Sequence, residues 1–386
     1  MARLRTSDTG RLVAELDKTG LLTRQWRAAF AAVPRHEFLP DELWVLDEHG
    51  RLAAIDREHD VGQWMRRVYS DSCIVTQIDD GGTAWPGSGI ASSSSSMPSV
   101  MLVMLYALEV GDGMRVLEIG TGTGYNAAIL AHRVGADRVT TVEVDSRLAA
   151  RAARNLLVAG YPVTMVCGDG TAGHAPGAPY DRVLATCGVV GKVPYSWIEQ
   201  ARPGALVVAP WGTSYQRSAL MRLRVHDDGT ALGRFSKGVY LSFMPLREQR
   251  IGGLLNGPDG DPDVITTTEL SPAELRHTVL AFDGSFAIGL QVPECRTWYE
   301  IDEERGYWRA LGFEDAGSGS RAIVTVDPDE PDIVIKQWGP RLLWDEVELA
   351  YRWWVHQGRP SHDRFGLSLG PRGQTYWLDE PDQPLR

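Results

Sequence analysis

The stretch VLEIGTGTGYNA, residues 116–127, constrains the fold more than any other part of this 386-residue chain. A short apolar run reads as a buried strand, glycines follow at alternate positions (Gly120, Gly122 and Gly124), and a helix begins. Glycine lets a backbone turn sharply and lets a ligand approach it closely. A dinucleotide-binding turn spaces its glycines G-x-G-x-x-G and sets a pyrophosphate on the helix N-terminus. Here the spacing is tighter, and the acidic Glu118 stands just before the first glycine. A carboxylate in that place repels pyrophosphate and suits an ammonium group. The expected ligand is therefore a nucleoside carrying an amino-acid tail.

From residue 115 the chain alternates strand-like and helix-like segments. RVLEIG, RVTTVEV, VTMVCGDG, YDRVLAT and ALVVAPWG read as strands, and GYNAAILAHRVG, RLAARAARNLLVAG and SWIEQA as helices. Such alternation predicts an α/β fold, a doubly wound, Rossmann-like parallel sheet. Ligands of these sheets bind outside the carboxyl ends of the strands. Glu143, followed by Val144, ends the second strand and lies 23 residues after Gly120, the place of an acid that hydrogen-bonds a ribose diol. Asp169 and Gly170 end the third strand, within reach of an adenine amino group. Acids at successive strand ends fit S-adenosylmethionine as the cofactor. Its expected binding set is Glu118, Gly120, Thr121, Gly122, Gly124, Tyr125, Glu143, Val144, Asp169 and Gly170.

Upstream, ASSSSSMPSVMLVML (91–105) sets five serines before Met97, Pro98 and an apolar run. A serine run is usually a flexible spacer. A spacer needs no fixed register to a proline that opens a helix, here from about Pro98 to Leu108. The run is therefore read as a bend whose hydroxyl and N–H groups line a site. Residues 219–246 predict a β-hairpin turning at Asp228-Gly229. The Gly-, Asp- and Pro-rich segment 251–267 predicts a boundary between domains 1–250 and 251–386. The second is expected to be mixed α+β, with its clearest helix over 342–355.

Composition narrows the function. Residues 251–386 hold 24 acidic and 12 basic side chains, and the whole chain carries a net charge of −11, the opposite of a nucleic-acid binder. Cys73, Cys167, Cys187 and Cys295 form no C-x-x-C and no Cys/His cluster, so neither a metal site nor a disulfide framework is expected. No apolar stretch approaches the ~20 residues that span a bilayer. The first residues lack an apolar signal core, so no membrane association and a cytoplasmic location are expected.

Over roughly residues 8–250 the chain resembles the protein-L-isoaspartate O-methyltransferases. AAVPRHEFLP, YSD (69–71), VLEIGTGTGY, VEV, GDG, YDRVLAT, ARPGALVVAP and FMPL (243–246) follow in that family's order. The resemblance implies a class I methyltransferase sheet, S-adenosylmethionine as methyl donor, and a peptide or protein substrate bearing Asp or isoAsp. It implies that Ser96 is the active-site serine, with Ser95 and Ser99 beside it in the catalytic segment. Ser93 and Ser94 fall on cofactor-facing positions, and Thr186 is a further donor. The family often has His after the proline, where this chain has Ser99. An acceptor carboxylate, with a pKa near ~4, is already ionised at pH 7 and needs no general base.

The overall layout resembles the branch found with ribosomal-peptide (graspetide- and lanthipeptide-type) maturation. That branch implies methylation of an Asp in a ribosomally synthesised, cross-linked precursor, the ester then closing to a succinimide (aspartimide). The alternative is repair of L-isoaspartyl and D-aspartyl protein. Seven of the 13 tryptophans lie beyond residue 250, where they either grip a peptide or fill a small core. Trp353 and Trp354 cannot both face one side of a helix, so one is expected to meet a partner or the first domain.

Overall fold

The computed structural model describes residues 2–216, 218–250, 252–253, 260–302, 304 and 307–385. Helices α1 (Ala2–Asp17) and α2 (Arg24–Ala32) lead into strands β1 (Glu42–Leu46) and β2 (Leu52–Asp56), helix α3 (Val61–Val68), and strands β3 (Ile74–Ile78) and β4 (Ala91–Ser95). These strands form an antiparallel sheet in the order β2-β1-β3-β4. The serine run, expected as a bend, is therefore mostly strand. Ser95 pairs with Ile74 and Ser94 with Val75, which leaves only Ser96 and Met97 to turn the chain. Ser92 Oγ donates to Gln77 Oε1 at 2.8 Å, and Thr76 Oγ1 to Ser93 Oγ at 3.3 Å. This cross-strand pairing supports a strand that no apolar alternation announces.

Helix α4 (Pro98–Leu108) starts at its proline, as expected. Then β5 (Val116–Ile119), α5 (Tyr125–Val134), β6 (Val139–Glu143), α6 (Ser146–Val158), β7 (Thr164–Cys167) and β8 (Tyr180–Ala185) alternate. Strand β9 (Val189–Val190), α7 (Ser196–Glu199), β10 (Ala201–Gly212) and the hairpin β11 (Ala219–Val225) and β12 (Ala231–Tyr240) complete this part. β5, β6, β7, β8 and β10 run parallel, and β11 and β12 antiparallel.

The C-terminal part is mixed α+β. Strand β13 (Val264–Thr268), α8 (Pro272–Val279), α9 (Phe282–Gln291), β14 (Arg296–Asp302), β15 (Tyr307–Asp315), β16 (Ser320–Thr325) and β17 (Ile333–Trp338) precede α10 (Leu343–His356). The five strands form an antiparallel sheet. Strands β18 (Phe365–Gly370) and β19 (Gly373–Leu378) then return to the first sheet. β18 pairs with β12, Gly233 opposite Leu367, giving the order β19-β18-β12-β11-β10-β8-β5-β6-β7, with β9 beside β10.

This return corrects the expected division into 1–250 and 251–386. A parallel sheet needs cover on both faces. Val116, Leu184 and Val208 pack beneath α2, α4 and α5. Their neighbours Leu117, Val183 and Val207 face the other way, into one core with Phe286, Trp344, Tyr351 and Phe365. The C-terminal part thus joins α7, with Trp197 and Ile198 in the same core, as the second covering layer. At the seam the Phe286 ring lies 4.9 Å from Phe235 and 5.9 Å from Trp211. Of the expected boundary segment, residues 251 and 254–259 lie outside the described residues. Trp344, Trp354 and Trp377 are buried, in the core-filling role. Trp353 packs 6.4 Å from Phe365 on β18, so this member of the pair meets the central sheet.

Candidate active site

The glycine turn after β5 comes close to the serine strand. Gly122 has φ +56°, and a Cβ there would sit 3.3 Å from the Ser94 carbonyl oxygen. Only glycine takes that conformation freely. A cleft opens beside this contact, at the carboxyl ends of β5, β6, β7 and β8. The sequence-predicted residues on its wall are Ser93, Ser94, Gly120, Gly122, Glu143, Val144, Asp169, Gly170 and Thr186.

Glu143 organises the cleft. Its Oε2 accepts the Gly122 N–H at 2.9 Å, and its Oε1 the Asp145 N–H at 3.0 Å. Each oxygen keeps capacity for a further donor, as a ribose diol requires. Burial raises its pKa; the two N–H bonds oppose the rise. At the other end Asp169 is exposed, with Oδ1 accepting the Thr171 N–H at 2.9 Å. Thr186 Oγ1 donates to the Ile119 carbonyl at 3.0 Å, so this hydroxyl ties the turn to β8. Close backbone approach at Gly122, an acid with free lone pairs, and a second acid farther along fit a nucleoside with an amino-acid tail.

The remaining cofactor candidates act from behind the wall. Glu118 is fully buried, accepting from Asn126 Nδ2 and Thr141 Oγ1, each at 2.6 Å. Thr121 Oγ1 bonds Thr141 Oγ1 at 2.6 Å. Glu118 therefore braces the turn and does not reach the cleft, contrary to a direct contact with an ammonium group. Gly124 abuts Leu156 of α6, where a Cβ would lie 3.1 Å from Cγ, and Tyr125 is buried against Phe30 and Phe38. The catalytic candidates Ser95 and Ser96, at the end of β4, and Ser99, in the first turn of α4, lie outside that wall. The Ser99 N–H donates to Asp71 Oδ1 at 2.8 Å, so the acid of the YSD motif caps α4.

Burial pushes the Glu118 carboxyl up to about 7, with Glu143 adding to the rise and Thr141 and Asn126 opposing it. Its folded pKa lies above the unfolded one. Its contribution to stability is complete below about pH 4.5 and is lost as pH rises through about 7. Glu118→Gln should remove that slope. At 1.36 kcal/mol per unit, the stability difference should move in the variant's favour by up to ~3 kcal/mol across this window. Thermal unfolding of both proteins at several pH values checks it; parallel curves refute it.

The sequence reading missed several residues. Ser92, Met244, Leu246, Arg247 and Arg250 also line the cleft. Arg247 and Arg250 pair with Asp80 at 2.9 and 2.6 Å, joining the segment after β12 to the loop before β4. Single arginines in polar segments give no sequence signal. Arg35, inside the quoted AAVPRHEFLP, is fully buried against the end of β4. Among the described residues no cluster of three or more His, Cys, Asp or Glu could hold a metal ion. No helix among them is long and apolar enough to cross a membrane.

Fold and cleft together define a class I, S-adenosylmethionine-dependent methyltransferase. The sequence model of the protein-L-isoaspartate(D-aspartate) O-methyltransferase family matches residues 45–250. A protein-L-isoaspartate O-methyltransferase of Thermococcus onnurineus is 33% identical over 237 residues, covering 61% of this chain and 90% of the relative. One of Methanopyrus kandleri is 35% identical over 240 residues, covering 61% and 89%. A solved protein-L-isoaspartate O-methyltransferase shares the fold at 23% identity and a TM-score of 0.54, over 96% of this chain and 100% of its own. The chain belongs to the protein-L-isoaspartate O-methyltransferase family and is an S-adenosylmethionine-dependent (iso)aspartate O-methyltransferase.

Proposed function

We propose that the enzyme methylates the side-chain carboxylate of an isoaspartyl or aspartyl residue within a peptide, at the bend that ends β4. The observation carrying this reading is the course of β4: it runs along the cofactor cleft and turns at Ser96, just before the N-terminus of α4. The cofactor, when bound, supplies a methyl group on a sulfonium. The acceptor oxygen forms the new O–CH3 bond, and the electron pair of the broken S–CH3 bond stays on sulfur. The protein's task is to align the two reactants and to replace the carboxylate's water with fixed donors. Hydroxyl and N–H groups suit that task, because they bind an anion without titrating.

The relatives are named for isoaspartate and favour an isoaspartyl acceptor. The second reading is tailoring of an Asp in a ribosomally made, cross-linked precursor. Two observations favour it: Ser99 in place of the family's frequent histidine, and the acidic C-terminal layer. In either case the following backbone nitrogen attacks the ester, loses its proton and expels methanol as a succinimide closes. A competition assay separates them: isoaspartyl, aspartyl and cross-linked precursor peptides in one mixture, with methyl ester and methanol followed in time. Repair predicts fast turnover of any short isoaspartyl peptide. Tailoring predicts turnover of the precursor alone, and methylation of none of the three refutes both.

A further inference from the structure

Arg35 is 0% exposed, and no carboxylate forms an ion pair with it among the described residues. An unpaired buried charge is among the most unfavourable groups a fold can hold. Here it is solvated by the protein itself. Nε contacts Ser95 Oγ at 3.3 Å; Nη1 donates to the Val68 and Ser70 carbonyls at 3.0 and 3.1 Å; Nη2 donates to those of Ser72, Ser95 and Ser96 at 3.0, 3.1 and 2.9 Å. The guanidinium thus grips both carbonyls of the bend that ends β4.

That grip orients the opposite side of the same peptide units. In a planar trans peptide the C=O and the following N–H point in opposite directions. With the Ser95 and Ser96 oxygens turned to Arg35, the N–H groups of Ser96 and Met97 face away from it. No described residue accepts from either one. Pro98 has no N–H, and that of Ser99 is taken by Asp71. The bend therefore presents two open donors, backed by a buried cation, and hydrogen bonds on the carbonyls strengthen the N–H groups across each unit.

We propose that Arg35 is the positioning residue of the acceptor half of the site, fixing the Ser96 and Met97 N–H groups as the pair that holds the acceptor carboxylate. This rests on the acceptor reading above. Arg35 itself touches neither reactant. Its charge, set behind the bend, favours an anion over a neutral group of the same shape.

The test compares wild type with Arg35→Lys and Arg35→Met. Each receives the peptide that wild type methylates, and that peptide's carboxamide isostere as a competing inhibitor. Both variants should bind S-adenosylhomocysteine within about threefold of wild type. Their KM for the carboxylate peptide should rise about tenfold or more, as loss of hydrogen bonds to a charged group implies. The preference for carboxylate over carboxamide should collapse in Arg35→Met and survive in part in Arg35→Lys. A merely structural staple would weaken cofactor, carboxylate and carboxamide binding together; that result, or an unchanged preference, overturns the proposal. If Arg35→Met does not fold, Arg35→Lys and wild type still decide it. In wild type the acceptor peptide should slow amide exchange at Ser96 and Met97, and unchanged exchange there also overturns it. A wild type that methylates no aspartyl or isoaspartyl peptide sinks instead the acceptor reading, and this inference with it.

Discussion

Glu143→Ala is expected to weaken S-adenosylhomocysteine binding by about 100-fold or more, a change of ~2.7 kcal/mol. The loss has two sources. The Gly122 and Asp145 N–H groups lose their acceptor, and an unpaired buried donor costs roughly 1–3 kcal/mol. The lone pairs that the proposed cofactor site offers a ribose diol disappear as well. Glu143→Gln keeps one carboxyl-like oxygen and turns an NH2 toward one of those N–H groups, so it should fall between alanine and wild type. Titration calorimetry reads both values. An alanine variant with wild-type affinity would mean that the nucleoside is held elsewhere.

Ending the chain at residue 250 should abolish folding outright. Sequence similarity makes this cut attractive, since the family model ends there. The shortened chain would lose β18, which hydrogen-bonds β12, and would expose the part of the sheet bearing Trp211 and Phe235. Phe286, which packs on both rings, would be gone together with Trp344, Tyr351 and Phe365 of the same core. An exposed apolar face and a new sheet edge together favour aggregation. The fragment should appear in inclusion bodies or lack a cooperative unfolding transition. A soluble fragment that unfolds cooperatively and binds S-adenosylhomocysteine would show that the second layer is dispensable.

The sequence announced the central sheet because that sheet is built from local signals. Apolar runs ending in Gly120, Glu143 and Asp169 each mark a strand and the tip that lines the cleft. Pro98 marked the start of α4 for the same reason. Depth was not legible. Glu118 and Glu143 look equivalent as acids at strand ends, yet one is sealed behind the turn by Asn126 and Thr141 while the other lines the cleft. The serine strand was hidden because serines carry no apolar alternation; backbone pairing with β3 and side-chain bonds such as Ser92 to Gln77 hold it, and neither leaves a periodicity. Strands β18 and β19 could not be assigned to the first sheet from local pattern, because pairing with β12 spans a long separation in the chain. Arg35 gives no sequence signal because its acceptors are carbonyls from two distant segments, residues 68–72 and 95–96, which a string of residues does not reveal.

The pairing of Gly233 with Leu367 also dictates when this protein can finish folding. Loop closure over so long a span is slow, and it cannot begin until β18 has left the ribosome. A nascent chain already carrying every residue that lines the cleft must keep part of one sheet face open until β18 and β19 arrive. During that interval the open face favours aggregation, and the central sheet is complete only once β18 has docked on β12.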